Sequence, residues 1–385
     1  MREAALVLAK RTPVGRIGGQ LCTLEPEQLL APLIQQLIHE ARLPPDWIDD
    51  VIIGNVVGPG GNIARKSVLE AGLPETVPGV TVDRQCGSGL EAIIMAARLI
   101  QSGAGEIFLA GGVESTSRAP WRMLRPETVS GTPKLYTRAA FTPAALGDPD
   151  MGVAAEYTAE KYGISREAQD RYALESHMKA VEAQRTGRFT GELVPIARDG
   201  FIVTDDECPR PDTSLLKLSK LKPAFVKGGT VTAGNACPLN DGAALVLMMS
   251  RDICDRLNLT PVLRFIDSQA SGVDPHYPGM GPVPAVRRLL QRQRLHISEL
   301  DIVEFNEAFA SQVLASLQEL QLPPDKVNLG GGALALGHPY GASGAILMTR
   351  LYAEMLYRPY RRGLATLGIG GGMGLAVLVE GIPRR

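Results

Sequence analysis

The sequence predicts an α/β fold made of two similar halves, with a separate insertion in the first. Three observations carry this. Short aliphatic and β-branched runs alternate with longer stretches of helical periodicity, the pattern of βαβ units around a sheet covered on both faces. The last third repeats the element order of the opening: 301–305 answers 50–53, 327–344 repeats the strand, glycine-rich turn and helix of 80–97, and 363–372 echoes 108–112. Between them, residues 118–239 change texture, first rich in proline and later in charge, as an inserted region would be. The alternation leads us to expect a largely parallel sheet.

Taken in order, residues 4–9 read as a first buried strand, followed by a glycine-bearing turn at 14–19. Leu29, Leu30, Leu33, Ile34, Leu37, Ile38 and Ala41 fall on one helical stripe, which Pro44 and Pro45 should end. A second strand covers 51–53 and a third ends at 80–82; after it, Leu90, Ile93, Ile94, Ala97 and Ile100 recur at helical spacing. Residues 106–112 form a strand that closes on glycines. Within the insertion, 165–185 is a long helical run and 199–227 a polar stretch, and regular order returns near 230 and at 243–249.

With 385 residues and 45% hydrophobic content, the chain can bury more than one core. A net charge of −1 and a pI of about 6.6 give no general basic field for nucleic acid or an anionic membrane. The five cysteines, Cys22, Cys86, Cys208, Cys237 and Cys254, are odd in number and form no CxxC pair, which argues against a disulfide framework or a zinc site and fits a reducing compartment. Residues 1–11 make a poor leader, and no window approaches the ~18 apolar residues of a membrane span. The expected location is the cytoplasm.

Three stretches offer chemistry. Residues 82–90 carry Cys86 through a strand-to-helix turn in which Gly87 and Gly89 permit a tight course. The start of a helix there should lower the thiol pKa and favour the nucleophilic thiolate; the alternative is a small buried cysteine. Residues 330–344 frame His338 in glycine and alanine, unlike His39, His177, His276 and His296. Such a histidine can take a cysteine's proton, or serve only as a structural partner of the loop. At 304–310, Asn306 reads either as an ordinary helix N-cap with Glu307 in the first turn, or as an amide aimed at a carbonyl oxygen.

Together these stretches resemble the thiolase family, the acetyl-CoA acetyltransferases and 3-ketoacyl-CoA thiolases. The resemblance runs through Arg11-Thr12-Pro13-Val14-Gly15, the Cys86 turn, Gly111-Gly112-Val113-Glu114-Ser115, residues 229–236, Asn240-Asp241-Gly242, Asn306-Glu307-Ala308-Phe309 and Gly337-His338-Pro339 to Gly344. It implies the thiolase fold, two βαβαβαββ halves in an αβαβα arrangement with a loop domain that holds CoA. The implied divisions are 1–117 with 240–259, 118–239, and 260–385. Cys86 would carry the acyl group and His338 would activate it. Asn306 with His338 would form one oxyanion hole, and the backbone N–H groups of Cys86 and Gly370 the other. Arg210, Lys217, Ala236 and Cys237 would contact CoA, a substrate; no metal and no resident cofactor is implied. A homodimer or homotetramer acting on acyl-CoA and CoA in fatty acid metabolism is the expectation, with no nucleic-acid or membrane partner.

This chain also departs from the family pattern. Gly368 stands where the family has a second cysteine that shuttles the α-proton in carbon–carbon chemistry, so acyl transfer is expected to survive better than the C–C step. Cys237 stands where a serine usually lines the pantetheine tunnel, and either lines that tunnel or supplies the missing thiol. Asp83 replaces an asparagine and would oppose a thiolate unless paired, for example with Arg84. Asp150 replaces a histidine and Pro278 a methionine, leaving the acyl chain length open. The alternatives are a degenerate thiolase that binds or transfers acyl groups, or acts as a scaffold, without efficient Claisen chemistry, and, further off, a β-ketoacyl synthase.

Overall fold

The computed structural model describes residues 2–383; Met1, in the stretch read as a poor leader, and residues 384–385 of the expected C-terminal half lie outside them. In chain order the main strands are β1 (Ala4–Arg11), β2 (Asp50–Gly54), β3 (Val80–Val82), β4 (Ile107–Ser115), β5 (Asn240–Ser250), β6 (Leu263–Gly272), β7 (Ile302–Phe305), β8 (Arg362–Ile369) and β9 (Met373–Gly381). They lie side by side as β7-β8-β9-β6-β1-β5-β4-β2-β3, and the short strand Gly15–Arg16 on β5 completes a ten-stranded sheet.

The sheet reads alike outward from its centre. β1 and β6 meet antiparallel through Ala5–Arg264 and Leu6–Leu263. On one side β1/β5 and β5/β4 are antiparallel, then β4/β2 and β2/β3 parallel. On the other, β6/β9 and β9/β8 are antiparallel and β8/β7 parallel, with a parallel bridge from Val303 to Val327 where β3 would stand. The sheet is therefore mixed, not largely parallel as expected. Its inner strands turn back on themselves: β8 enters β9 across Gly370–Gly372, too short for a crossover, and β4 returns as β5 only after the insertion.

Among the described residues, eight helices of eight residues or more position the rest: α1 (Pro26–Ala41), α2 (Ile63–Glu70), α3 (Ser88–Ser102), α4 (Met151–Tyr162), α5 (Arg166–Arg185), α6 (Pro282–Gln293), α7 (Ala310–Leu320) and α8 (Tyr340–Tyr357). α3 and α8 share one central core with apolar side chains from both halves of the sheet, including Leu6, Ala110, Val246, Leu367 and Val377. α1 and α2 cover the outer face of the first half, and α6 and α7 that of the second, giving the αβαβα order. α1 does not wait for Pro44 to end: Arg42 already takes a left-handed φ of 52°.

The central layer is tight because glycines stand at its contacts. A Cβ on Gly344 would lie 2.5 Å from Leu90 N, and one on Gly112 would lie 1.9 Å from the Gly341 carbonyl. The strands of residues 118–239, including the pair Arg122–Leu124 and Lys134–Tyr136, stay outside the large sheet. A buried charge network fastens this region to both halves: Arg11 of β1 binds Glu192 at 2.7 Å and Asp206 at 2.6 Å, and Glu192 also pairs with Arg350 of α8. Phe189 lies between the two guanidinium groups, 5.2 Å from Arg11 and 4.4 Å from Arg350.

Candidate active site

Cys86 sits on a sharp turn between β3 and α3. Gln85 makes the turn with a φ of 48°, an unusual backbone for an L-residue. Its N–H donates to Asp83 Oδ1 at 2.7 Å, the Arg84 N–H donates to Ser88 Oγ at 2.8 Å, and the Ser88 hydroxyl donates to the Gln85 carbonyl at 2.6 Å. Gly87 lets the turn press against the end of β8, since a Cβ there would lie 2.5 Å from Ile369 Cδ1. The Gly370 N–H and the Cys86 N–H both act on the Cys86 sulfur.

The expected lowering of this thiol pKa does not occur. Lost hydration is the largest influence, and the charges of Glu114 and Asp83 add to it. Against the two amide donors they prevail, and Cys86 is pushed up to about 11. The resting thiol is therefore protonated. Arg84 does not relieve Asp83, because it pairs with Glu91 at 3.1 Å.

His338 follows Gly337, whose φ of 114° only glycine tolerates readily and whose absent Cβ would lie 2.5 Å from Asn240. Asn240 Oδ1 accepts the His338 N–H at 2.8 Å. On the ring, Nδ1 lies 2.6 Å from Ser343 Oγ, and the Ser343 hydroxyl donates to the Pro339 carbonyl at 3.1 Å. With that hydroxyl proton committed, Nδ1–H donates to Oγ and Nε2 keeps its lone pair. Nε2 is 3.5 Å from Asn306 Nδ2. Burial lowers the imidazole to about 4, so it is neutral at neutral pH. A protonated thiol and an unprotonated imidazole can pass a proton when an acyl carbon arrives.

Asn306 is not the helix cap its local sequence suggested. Residues 306–308 are not helical, Phe309 takes the N-cap place with extended backbone and α7 starts at Ala310. The Asn306 N–H donates to Thr366 at 3.1 Å, which fixes the residue at the end of β7. Glu307, read as a first-turn acid, instead ties four donors together: Tyr172 Oη at 3.0 Å, Ser176 Oγ at 2.7 Å, Asn328 Nδ2 at 2.7 Å and Leu334 N at 3.2 Å.

Of the expected CoA contacts, Ala236 and Cys237 join this centre. Ala236 bridges Phe309, and the Cys237 N–H donates to the Ala308 carbonyl at 2.9 Å. Burial, followed by the nearby Cys86, raises the Cys237 thiol far above its usual range. Arg210 and Lys217 lie on the exposed side of the insertion; the Arg210 N–H donates to His177 Nδ1 at 3.3 Å, and Lys217 Nζ pairs with Asp212 at 2.6 Å. A side chain at Gly368 would meet the Pro278 carbonyl at 2.9 Å and Gln312 Nε2 at 3.0 Å; that buried amide nitrogen has no hydrogen-bond partner.

Several members of the cleft were not singled out from sequence. Tyr340 meets the His338 ring edge to face at 5.2 Å and lies within the electrostatic reach of Cys86 and Cys237. Ser343 was visible as the hydroxyl five residues after His338, but its use depends on the turn. Glu114 accepts from Asn55 Nδ2 at 2.9 Å, Val56 N and Val57 N at 3.1 Å each, and Gly341 N at 3.0 Å, and burial pushes it up to about 7. Phe141 reaches in from the insertion: a Cβ on Gly370 would lie 3.0 Å from its ring, which Arg138 covers at 4.5 Å. Among the described residues no three or more His, Cys, Asp or Glu side chains are grouped to hold a metal ion, and no helix is long and apolar enough to cross a membrane.

Known proteins resemble this chain over nearly its whole length. Residues 4–252 match the model of the thiolase N-terminal domain and 259–381 that of the thiolase C-terminal domain. The chain is 49% identical over 383 residues to a Staphylococcus epidermidis protein provisionally named acetyl-CoA C-acetyltransferase VraB, covering 99% of each. A Staphylococcus haemolyticus protein of the same name is 50% identical over 383 residues, again covering 99% of each. Among solved structures, the Bacillus anthracis acetyl-CoA acetyltransferase superposes with a TM-score of 0.93 at 38% identity, covering 99% of both chains.

Proposed function

The chain belongs to the thiolase family of acyltransferases, and from that premise we propose that it passes an acyl group between CoA and a substrate through a thioester on Cys86. The observation that supports this is that Cys86, with two backbone N–H groups on its sulfur, lies within the electrostatic reach of Tyr340, whose ring packs on His338 beside Asn306. As the thiol attacks an acyl carbon, its proton passes to His338 Nε2, and the N–H groups of Cys86 and Gly370 receive the charge that develops on the carbonyl oxygen. Asn306 and the protonated His338 would serve a second carbonyl in the same way. CoA is a substrate here, and neither a metal nor a resident cofactor takes part.

The acyl group is proposed to be short, as in the acetyl-CoA acetyltransferase that resembles this chain. Phe141 over Gly370 supports this by closing space beside the sulfur. Residues 118–239 are proposed as the CoA-binding loop domain between the halves 1–117 with 240–259 and 260–385, with Arg210 and Lys217 at its nucleotide end. Exposed Trp121 (89%), Met123 (63%) and Leu135 (56%) on one hairpin support a homo-oligomer, and five free thiols support a reducing, cytoplasmic setting; a place in fatty acid metabolism is proposed from the family alone.

A second reading has one feature in its favour. Gly368 removes a proton carrier from the cleft, as a binding protein or an acyl-transfer protein without Claisen chemistry could tolerate. Incubation with radiolabelled acetyl-CoA beside an acetoacetyl-CoA thiolysis assay separates the two. Label on the Cys86 peptide with turnover supports the enzyme, label without turnover supports the second reading, and label that persists in Cys86→Ala overturns both.

A further inference from the structure

Making or breaking a carbon–carbon bond beside a thioester moves a proton to or from the carbon next to the carbonyl, so the cleft needs a proton carrier besides His338. Glycine at 368 cannot supply one. Ionisable groups around Cys86 are Glu114, Asp83, Tyr340 and Cys237. Glu114 already holds four donors, and Asp83 is exposed and braces Gln85.

Cys237 is placed differently. Its segment is fastened on both sides by the loops that carry the other reactive groups: Cys237 N–H to Ala308 at 2.9 Å, Ala236 to Phe309, and Leu239 to His338. The thiol thus enters the same cleft as Cys86, close enough for a charge on one to act on the other. We propose that Cys237 is the acid and base for the substrate carbon, taking over from residue 237 the task that residue 368 cannot perform. This rests on the reading of Cys86 as the acyl carrier.

The proton balance closes in the direction of thiolysis. Cys86 sulfur bonds to the keto carbon and gives its proton to His338. The bond between that carbon and the adjacent α-carbon breaks, and its electron pair, left on the α-carbon, takes the proton from Cys237. Free CoA then attacks the Cys86 thioester and returns its own thiol proton to Cys237, while His338 reprotonates the released Cys86 sulfur. In synthesis the steps reverse.

The test uses Cys237→Ser and Cys237→Ala in the full chain, with three readouts: acetyl label on Cys86, thiolysis of acetoacetyl-CoA, and solvent-deuterium exchange into the methyl group of acetyl-CoA. Both variants should keep labelling within about tenfold while thiolysis and exchange fall roughly 10²–10⁴-fold. Thiolysis within about threefold of the parent in Cys237→Ser overturns the assignment, as does loss of labelling in both variants, which would make the residue part of acyl transfer or of the shape of the pocket. Tyr340→Phe is the companion: a loss of exchange there, with Cys237→Ser unaffected, would give the role to the phenol. Failure of the Cys86 reading is seen separately, as label that survives Cys86→Ala.

Discussion

At the scale of single residues, the proposed pair of Cys86 and His338 rests uncharged. A thiol pushed up to about 11 and an imidazole lowered to about 4 share one physical cause, the removal of water from both. Cys86 is mostly thiol at neutral pH, and its thiolate fraction grows about tenfold for each pH unit below its pKa. Alkylation of Cys86 by iodoacetamide, followed by peptide mass spectrometry, should therefore climb by roughly that factor per unit from pH 7 to 10 without levelling off. A plateau below pH 8 would show a thiol lowered by the helix after all. The sequence made Cys86 and His338 legible because each stands alone of its type in a glycine-framed turn. The direction of the pKa shift was not legible, because it depends on what covers the sulfur. That cover comes from Gly370, Ile369 and Glu114, all remote in sequence from residue 86.

At the scale of elements, glycine where β4 meets the start of α8 sets how closely the His338 loop approaches the sheet. Gly112 of β4 has the Gly341 carbonyl where its own Cβ would be, and Gly341 lies three residues beyond His338. Gly112→Ala should cost about 3 kcal/mol or more in denaturant unfolding, because the obstruction is backbone and cannot swing aside. It should also lower acyl labelling by moving the His338 loop. Gly242→Ala is the control: a Cβ there meets nothing closer than 3.5 Å, and its stability should change by less than about 1 kcal/mol. Strand and helix positions were readable from periodicity, and the Gly-Gly pairs from composition. Strand direction was not, because alternation of strand and helix is the same whether a strand enters the sheet up or down; the three-glycine return between β8 and β9 decides it. The two readings of Asn306, cap or site amide, stayed open in the sequence for a related reason, since an asparagine before an acidic residue looks the same locally whether the helix begins there or at Ala310.

At the scale of the whole molecule, the two halves repeat one plan and divide the candidate site. The first contributes Cys86 from the turn after β3; the second contributes His338 from the turn after the Val327 bridge, Asn306 from β7 and Gly370 from β8. The repeat was visible as element order, while the insertion's share, Cys237 from one end and Phe141 from the other, needed coordinates. Between the halves the sheet is continuous only through Ala5–Arg264 and Leu6–Leu263, a narrow join beside the wide pairings within each half. Warming should therefore strain that join first and disturb the candidate site between the halves, while the shared core around α3 and α8 still holds the strands of each. Catalysis should fail at a lower temperature than the far-ultraviolet circular dichroism signal, and early cooling should restore it; coincident midpoints would contradict this. The enzyme would then carry its own thermal fuse, going silent while still folded and resuming work once the heat has passed.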